Sequence, residues 1–273
     1  MYTPPKTKDK AKDKPGALSA GVPLGAIIPR VFTDDSRLVV QNTPRSSSAE
    51  RYRRLCATIE QATLEDGKSV QVLIVTSAVP HEGKTTTVLN VALALAENRD
   101  RRVLLVDGDL RRPSVSRYLS PAPKLGISEA LTGSVDVEHA LIEPRNSRLV
   151  VLPAGTPPTN PLELLRSEDL ANVFSILRRS FDLILVDTPP AVPFADASVM
   201  APHGDAAVLV VRSRTTAKPL VHKAVEALGA VPLLGAVLND VTHTPIDRYY
   251  YRYDAYDPYA YADRIDEEKE SAS

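Results

Sequence analysis

One segment limits the architectures open to this chain more than any other. Val70 to Val75 is apolar except for Gln71 and rich in β-branched residues, as strands buried on both faces are. Ala78-Val79-Pro80-His81-Glu82-Gly83-Lys84-Thr85 follows it, and Thr85 to Asn98 then reads as a helix. The same alternation runs on through the chain. Further strands are predicted at Val103 to Val106, Leu149 to Leu152, Leu183 to Val186, Ala207 to Val211 and Leu233 to Leu238, with helices at Ser48 to about Asp66, Glu163 to Ser180 and Lys218 to Leu228. Strand alternating with helix predicts an α/β fold, a parallel β-sheet covered by helices on both faces, with ligands at the carboxyl ends of the strands.

Composition allows such a core: of 273 residues, 43% are hydrophobic and 25% charged, which excludes wholesale disorder and fibrous classes. The 33 basic and 34 acidic residues leave a net charge of -1, so no global field draws the chain to nucleic acid, and none is expected as a partner. A single cysteine, Cys56, excludes an internal disulfide framework and fits a reducing compartment. No run approaches the roughly 20 apolar residues of a spanning helix, and the reading is of a cytoplasmic protein.

Three regions are expected. Residues 1–21, with Lys6, Lys8, Lys10, Lys12 and Lys14 among prolines and glycines, have the composition of a flexible linker. Residues 22–244 form the folded domain, opened by a short strand at Leu24 to Pro29 and a polar stretch that runs on to Ser48. Residues 245–273 form a tail holding seven of the ten tyrosines, Tyr249, Tyr250, Tyr251, Tyr253, Tyr256, Tyr259 and Tyr261, among aspartates and glutamates. Little apolar periodicity remains there to bury, so it reads as mobile.

The loop Ala78 to Thr85 has the context and composition of a phosphate-binding loop. Its backbone amides and the following helix N-terminus would hold phosphates, Lys84 would reach the β/γ oxygens and the Thr85 hydroxyl would ligate Mg²⁺. Ala78 replaces the first glycine. His81 stands at a position where many such loops need φ above zero, a region that His tolerates better than most residues. Hydrophobic runs also deliver Asp107 and Asp109 (in Val106-Asp107-Gly108-Asp109-Leu110-Arg111-Arg112-Pro113) and Asp187 (in Asp187-Thr188-Pro189-Pro190) to strand ends. Together with the loop, these carboxylates read as a Mg²⁺ and nucleotide site.

In this order and spacing the motifs resemble the bacterial tyrosine kinase family, the deviant Walker-type P-loop autokinases of capsule and exopolysaccharide synthesis. The matching elements are the Walker A loop with Pro80 and Glu82, the A′ stretch Val106 to Pro113, Walker B at Asp187 to Pro190, and the intervening segments Gly126 to Gly133 and Leu152 to Leu165. The similarity spans about Pro23 to Asp240 and continues into the tyrosine-rich tail. The partition and division-site ATPases share the fold but carry a signature lysine where this chain has Val79. An ATPase switch of that type, without kinase activity, is the alternative reading.

The resemblance implies an ATP-dependent protein-tyrosine autokinase acting on its own tail tyrosines, mostly between subunits, with ATP and Mg²⁺ as cofactors. Pro80, His81, Glu82, Gly83, Lys84, Thr85 and Thr86 would line the nucleotide, with Thr86 near the α-phosphate. Thr85, Asp109 and Asp187 would serve the metal. Asp107 would orient the acceptor hydroxyl, though sequence does not decide which of Asp107 and Asp109 is the base. Asn239 corresponds to an adenine-contacting position in related folds and equally fits a strand-end turn. The implied partners are a polysaccharide co-polymerase-type membrane activator, which would recruit the chain to the inner face of the membrane, a tyrosine phosphatase, and further copies of the chain. Of the family's assembly pattern on the first helix, Glu50 and Arg53 are present and Cys56 takes the place of the second arginine.

Overall fold

The computed structural model describes residues 30–64 and 66–241. The short strand expected at Leu24 to Pro29, the linker and the tyrosine tail lie outside them. In chain order the strands are β1 (Val31–Phe32), β2 (Val72–Ser77), β3 (Val103–Asp107), β4 (Leu119–Ser120), β5 (Val150–Leu152), β6 (Leu183–Asp187), β7 (Ala206–Arg212) and β8 (Leu233–Asn239). The α-helices are α1 (Val39–Asn42), α2 (Ser47–Gln61), α3 (Lys84–Leu95), α4 (Ile127–Leu131), α5 (Val137–Ala140), α6 (Pro161–Leu165), α7 (Glu168–Ser180), α8 (Asp196–Met200) and α9 (Lys218–Ala227). Six strands form one parallel sheet in the order β5-β3-β6-β2-β7-β8, and β1 pairs antiparallel with β4 beside it.

The period-2 geometry of the strands sorts their side chains between two cores. Leu73, Val75, Leu105, Leu185 and Val208 face the helices α2 and α3, whereas Ile74, Leu104, Ile184 and Val186 face α4, α5, α7 and α8. Helices therefore cover both faces, as the sequence predicts. Every residue of β2, β3 and β6 is buried, which accounts for their unbroken hydrophobic runs.

Several boundaries depart from the sequence reading. The helix expected to reach Asp66 stops at Gln61, because Thr63 and Ser69 bridge antiparallel around a turn in which Gly67 takes φ 78°. The helix expected over Glu163 to Ser180 is two, α6 and α7. Pro161 and the Asn160 cap set the start of α6, while the extended Ser167 and the acidic first turn of α7 restart the helix. Residues 30–46 are not merely a polar stretch. Phe32, Leu38 and Val40 are buried, and Asn90, wholly buried on α3, accepts from the Val40 amide at 3.1 Å and donates to the Arg37 carbonyl at 2.8 Å.

The segments Gly126 to Gly133 and Leu152 to Leu165 close on each other. The Ile127 and Ser128 amides donate to the Pro153 and Ala154 carbonyls at 2.8 and 3.0 Å. Glu129 accepts from the Gly126 and Thr156 amides. A side chain at Gly126 would stand 2.2 Å from the Pro153 oxygen, so glycine is required by close approach.

Candidate active site

Parallel register brings the sequence motifs to one end of the sheet. Strand β6 lies between β2 and β3, with Asp187 level with Val75 on one side and with Asp107 on the other. The chain leaving β2 turns through the loop 78–83 into α3. In that turn His81 takes φ 67°, the conformation its position was expected to need. Gly83, at φ 83°, has no room for a methyl group, since a Cβ would lie 1.9 Å from the Asn239 side-chain nitrogen.

Glu82 and Asn239 brace this loop from below. The buried Glu82 carboxylate accepts from the Val79 amide at 2.8 Å and the Arg212 amide at 3.1 Å, and from the Thr216 hydroxyl. Asn239 Nδ2 donates to the Glu82 carbonyl at 2.9 Å.

At the floor, Lys84 Nζ lies 2.5 Å from Asp187 Oδ1, and Thr85 Oγ1 donates to Asp187 Oδ2 at 2.7 Å. Asp109 Oδ2 approaches the same ammonium at 3.9 Å. Lys84, Asp107, Asp109 and Asp187 are all buried. Two aspartates separated by one glycine nonetheless differ. Asp107 is fully buried and has both oxygens occupied by backbone amides, those of Asp109, Ser114 and Val115. Asp109 keeps a small exposure, accepts from the Arg112 amide at 3.0 Å, and lines the cleft above Lys84.

Burial pushes the Asp107 carboxyl up, and the adjacent Asp187 charge pushes it further. Burial also raises Asp109, against the pull of Lys84. An ammonium drawn onto two carboxylates and a hydroxyl shows a pocket of hard oxygen donors that attracts a cation. That donor set fits Mg²⁺, which takes one or two carboxylates, a hydroxyl and substrate phosphates.

Sequence reasoning gave no role to the outer wall. The cleft, of about 420 Å³, is bordered by Arg37, Arg111, Arg112, Arg117, Tyr118 and Phe194 as well as by the loop. Arg111 pairs with the buried Asp196 at 2.8 Å and covers the Phe194 ring at 4.7 Å. Arg37 pairs with Asp35 at 2.6 Å and covers the Tyr118 ring at 5.1 Å. The Tyr118 hydroxyl is 3.5 Å from Thr86 Oγ1. Arg111 and Arg112 were visible within the A′ stretch, but nothing in their spacing assigned them a task. On α2, Arg53 binds Glu97 through two bonds of 2.9 Å and stands 3.6 Å from Glu50. The buried Cys56 thiol points to the Val91 carbonyl, and burial pushes its pKa up to about 12.

Residues 80–222 match the AAA domain family, which agrees with a nucleotide-binding P-loop site. The tyrosine-protein kinase YwqD of Bacillus subtilis is 34% identical over 204 residues, covering 74% of this chain and 85% of that protein. The succinoglycan biosynthesis transport protein ExoP of Rhizobium meliloti is 32% identical over 219 residues, and this chain spans only 27% of its length. Among solved structures, the chimerical protein CapA2B2 superposes with a TM-score of 0.71 at 32% identity, over 81% of this chain and 96% of that one. The cell division ATPase MinD of Pyrococcus furiosus is a weaker match, with a TM-score of 0.53 at 27% identity over 66% of this chain and 78% of that one. With Val79 in place of the signature lysine of such ATPases, the kinases are the nearer group, and the chain belongs to the bacterial tyrosine kinase family.

Proposed function

We propose that this protein-tyrosine kinase is an ATP-dependent autokinase that transfers the γ-phosphoryl group to tyrosines of its own tail. The observation carrying this reading is the cluster of Lys84, Thr85 and Asp187, with Asp109 above it at the mouth of a cleft. Phosphoryl transfer asks a protein mainly for positioning and charge compensation. Loop amides from Pro80 to Gly83 would hold phosphate oxygens at the start of α3. Lys84 would move from Asp187 to the β/γ oxygens, and Thr86 would lie near the α-phosphate. Thr85, Asp187 and Asp109 would hold Mg²⁺, directly or through water, and the ion would supply positive charge against the charge developing on the transferred group.

Tyrosine arrives protonated, its unperturbed pKa being about 10. Asp109 is better placed than Asp107 to take that proton, because it opens to the cleft while the wholly buried Asp107 accepts at both oxygens from the backbone of its own loop. Asp107 then holds the A′ loop in position.

Tail tyrosines Tyr249, Tyr250, Tyr251, Tyr253, Tyr256, Tyr259 and Tyr261 are the proposed acceptors, mostly of a neighbouring copy. Incubation with labelled ATP and Mg²⁺ tests this: base-stable label should appear and should fall to near zero when all seven are replaced by Phe, with ATP binding retained. Undiminished label at Tyr52 or Tyr118 would refute the acceptor assignment, and hydrolysis without protein label would favour the ATPase switch. A tagged Lys84→Met chain should gain phosphotyrosine when mixed with wild type if transfer runs between copies.

The likeness to ExoP supports a role in polysaccharide synthesis or export. The proposed activator is the cytoplasmic segment of a co-polymerase-type membrane protein, with a tyrosine phosphatase reversing the modification. Among the described residues no helix is long and apolar enough to cross a membrane, and recruitment to the inner face of the membrane would come from that partner. Equal activity with and without the partner would count against its role.

A further inference from the structure

The four arginines at the cleft are not equivalent. Arg37 and Arg111 already have carboxylates, Asp35 and Asp196. Arg112 and Arg117 are exposed, border the same cleft as Lys84 and Asp109, and among the described residues pair with no carboxylate. Their backbones are fixed nonetheless. The Arg112 amide is held by Asp109, and Arg117 sits in the one-turn helix Val115–Tyr118, which is anchored by the Val115 amide on Asp107 and by the buried Tyr118.

Two exposed cationic side chains on a fixed base therefore border the cleft that also holds the group proposed to receive the acceptor proton. Lys84, the loop amides and Mg²⁺ are the groups proposed for the phosphates, and Arg112 and Arg117 are not among them. The tail supplies their complement. From Tyr249 onward it carries seven carboxylates against Arg252, Arg264 and Lys269, and Tyr253 and Tyr256 are each followed directly by an aspartate.

We infer that Arg112 and Arg117 form the acceptor-peptide subsite, recognising carboxylates next to the tyrosine and making an acidic tyrosine-containing segment of a second copy of this chain the preferred substrate. The inference rests on the autokinase reading above. An arginine fork binds a carboxylate through two parallel N–H bonds. At an exposed rim each such pair contributes up to about 1 kcal/mol, or about fivefold in affinity.

The test uses the full chain, ATP and Mg²⁺, with two synthetic acceptors: the peptide of residues 249–263, and the same peptide with Asp254, Asp257 and Asp263 replaced by Asn. Wild type should show a KM roughly tenfold lower for the acidic peptide. Arg112→Ala combined with Arg117→Ala should raise that KM to the value for the neutral peptide and leave the KM for ATP within about twofold. Arg112→Lys with Arg117→Lys should restore only part of the preference, the charge without the fork's two parallel bonds, and so separates charge from a folding defect. Equal KM values for both peptides with wild type would overturn the inference while leaving the autokinase reading intact. So would a double variant whose ATP KM rises and whose peptide preference persists, since that would assign the arginines to the nucleotide. Phosphorylation of neither peptide, nor of the chain's own tail, would remove the autokinase reading itself.

Discussion

Carboxylates occupy both ends of the sheet, half-buried at one and buried at the other, and the two ends treat them in opposite ways. At the amino end, Asp205 accepts from the Gln71 and Val72 amides at 3.0 and 2.7 Å and pairs with both terminal nitrogens of Arg178, at 3.0 and 2.8 Å. Burial pushes its pKa up, but the Arg178 fork and the two amides outweigh it and hold the carboxyl below its ordinary value. At the carboxyl end, Asp187 and Asp109 share a single ammonium, that of Lys84, and Asp107 is buried beside Asp187. There burial prevails, and Asp107 and Asp109 are raised. A completed ion pair fixes structure, whereas an excess of buried negative charge marks a place built to receive a cation and a substrate.

Substitutions at each end sharpen this contrast. Lys84→Met should lower phosphotyrosine formation by about a thousandfold or more, because it removes the fixed charge that compensates the transferring group. Its circular dichroism spectrum should remain that of wild type, since the effect is chemical; wild-type labelling by a folded variant would end the assignment of the loop. Gly83→Ala comes next. With φ at 83° and a Cβ only 1.9 Å from the Asn239 amide, the loop must distort, and ATP affinity measured by calorimetry should fall by about a hundredfold.

Arg178→Ala should do the reverse, lowering unfolding free energy in urea by about 2 kcal/mol at pH 7 with turnover per folded molecule unchanged. The depressed pKa of Asp205 means that its pairing contributes stability above the unfolded-state value of about 4 and loses it as pH falls through the folded-state value. The deficit of the variant should therefore shrink below pH 4. A deficit independent of pH would show that the pair is not the cause.

Asn239→Ala is the mildest of these changes. Loss of one hydrogen bond to the Glu82 carbonyl should weaken nucleotide binding about fivefold. A brace predicts equal losses for ATP and GTP. A loss confined to ATP would instead make Asn239 an adenine contact.

What could be read from the sequence follows the physics of each feature. Strands β2, β3 and β6 are buried on both faces and announce themselves as apolar runs, and the glycine and lysine of the loop carry their own backbone and charge requirements. Asp107, Asp109 and Asp187 could be placed at strand ends for the same reason. Their division of labour could not, because it depends on which oxygens the amides of Ser114 and Val115 reach. The break between α6 and α7 was hidden by apolar residues that keep a helical period across Ser167. Phe32, Leu38 and Val40 were hidden for the opposite reason: isolated apolar residues in an irregular segment have no period, although all three are buried. Arg178 and Asp205, 27 positions apart, meet only through the return of the chain to the amino end of the sheet.

The central claim is that the crowded carboxyl end transfers phosphate to tyrosine on the chain's own tail. Mass spectrometry of the purified full-length protein after incubation with ATP and Mg²⁺, with the Lys84→Met chain treated identically, tests it most directly. The account predicts phosphotyrosine within residues 249–261 of the wild type and none in the variant incubated alone. Phosphate confined to Tyr52 or Tyr118, equal modification of the Lys84→Met chain, or ATP consumed with no phosphotyrosine formed would contradict it.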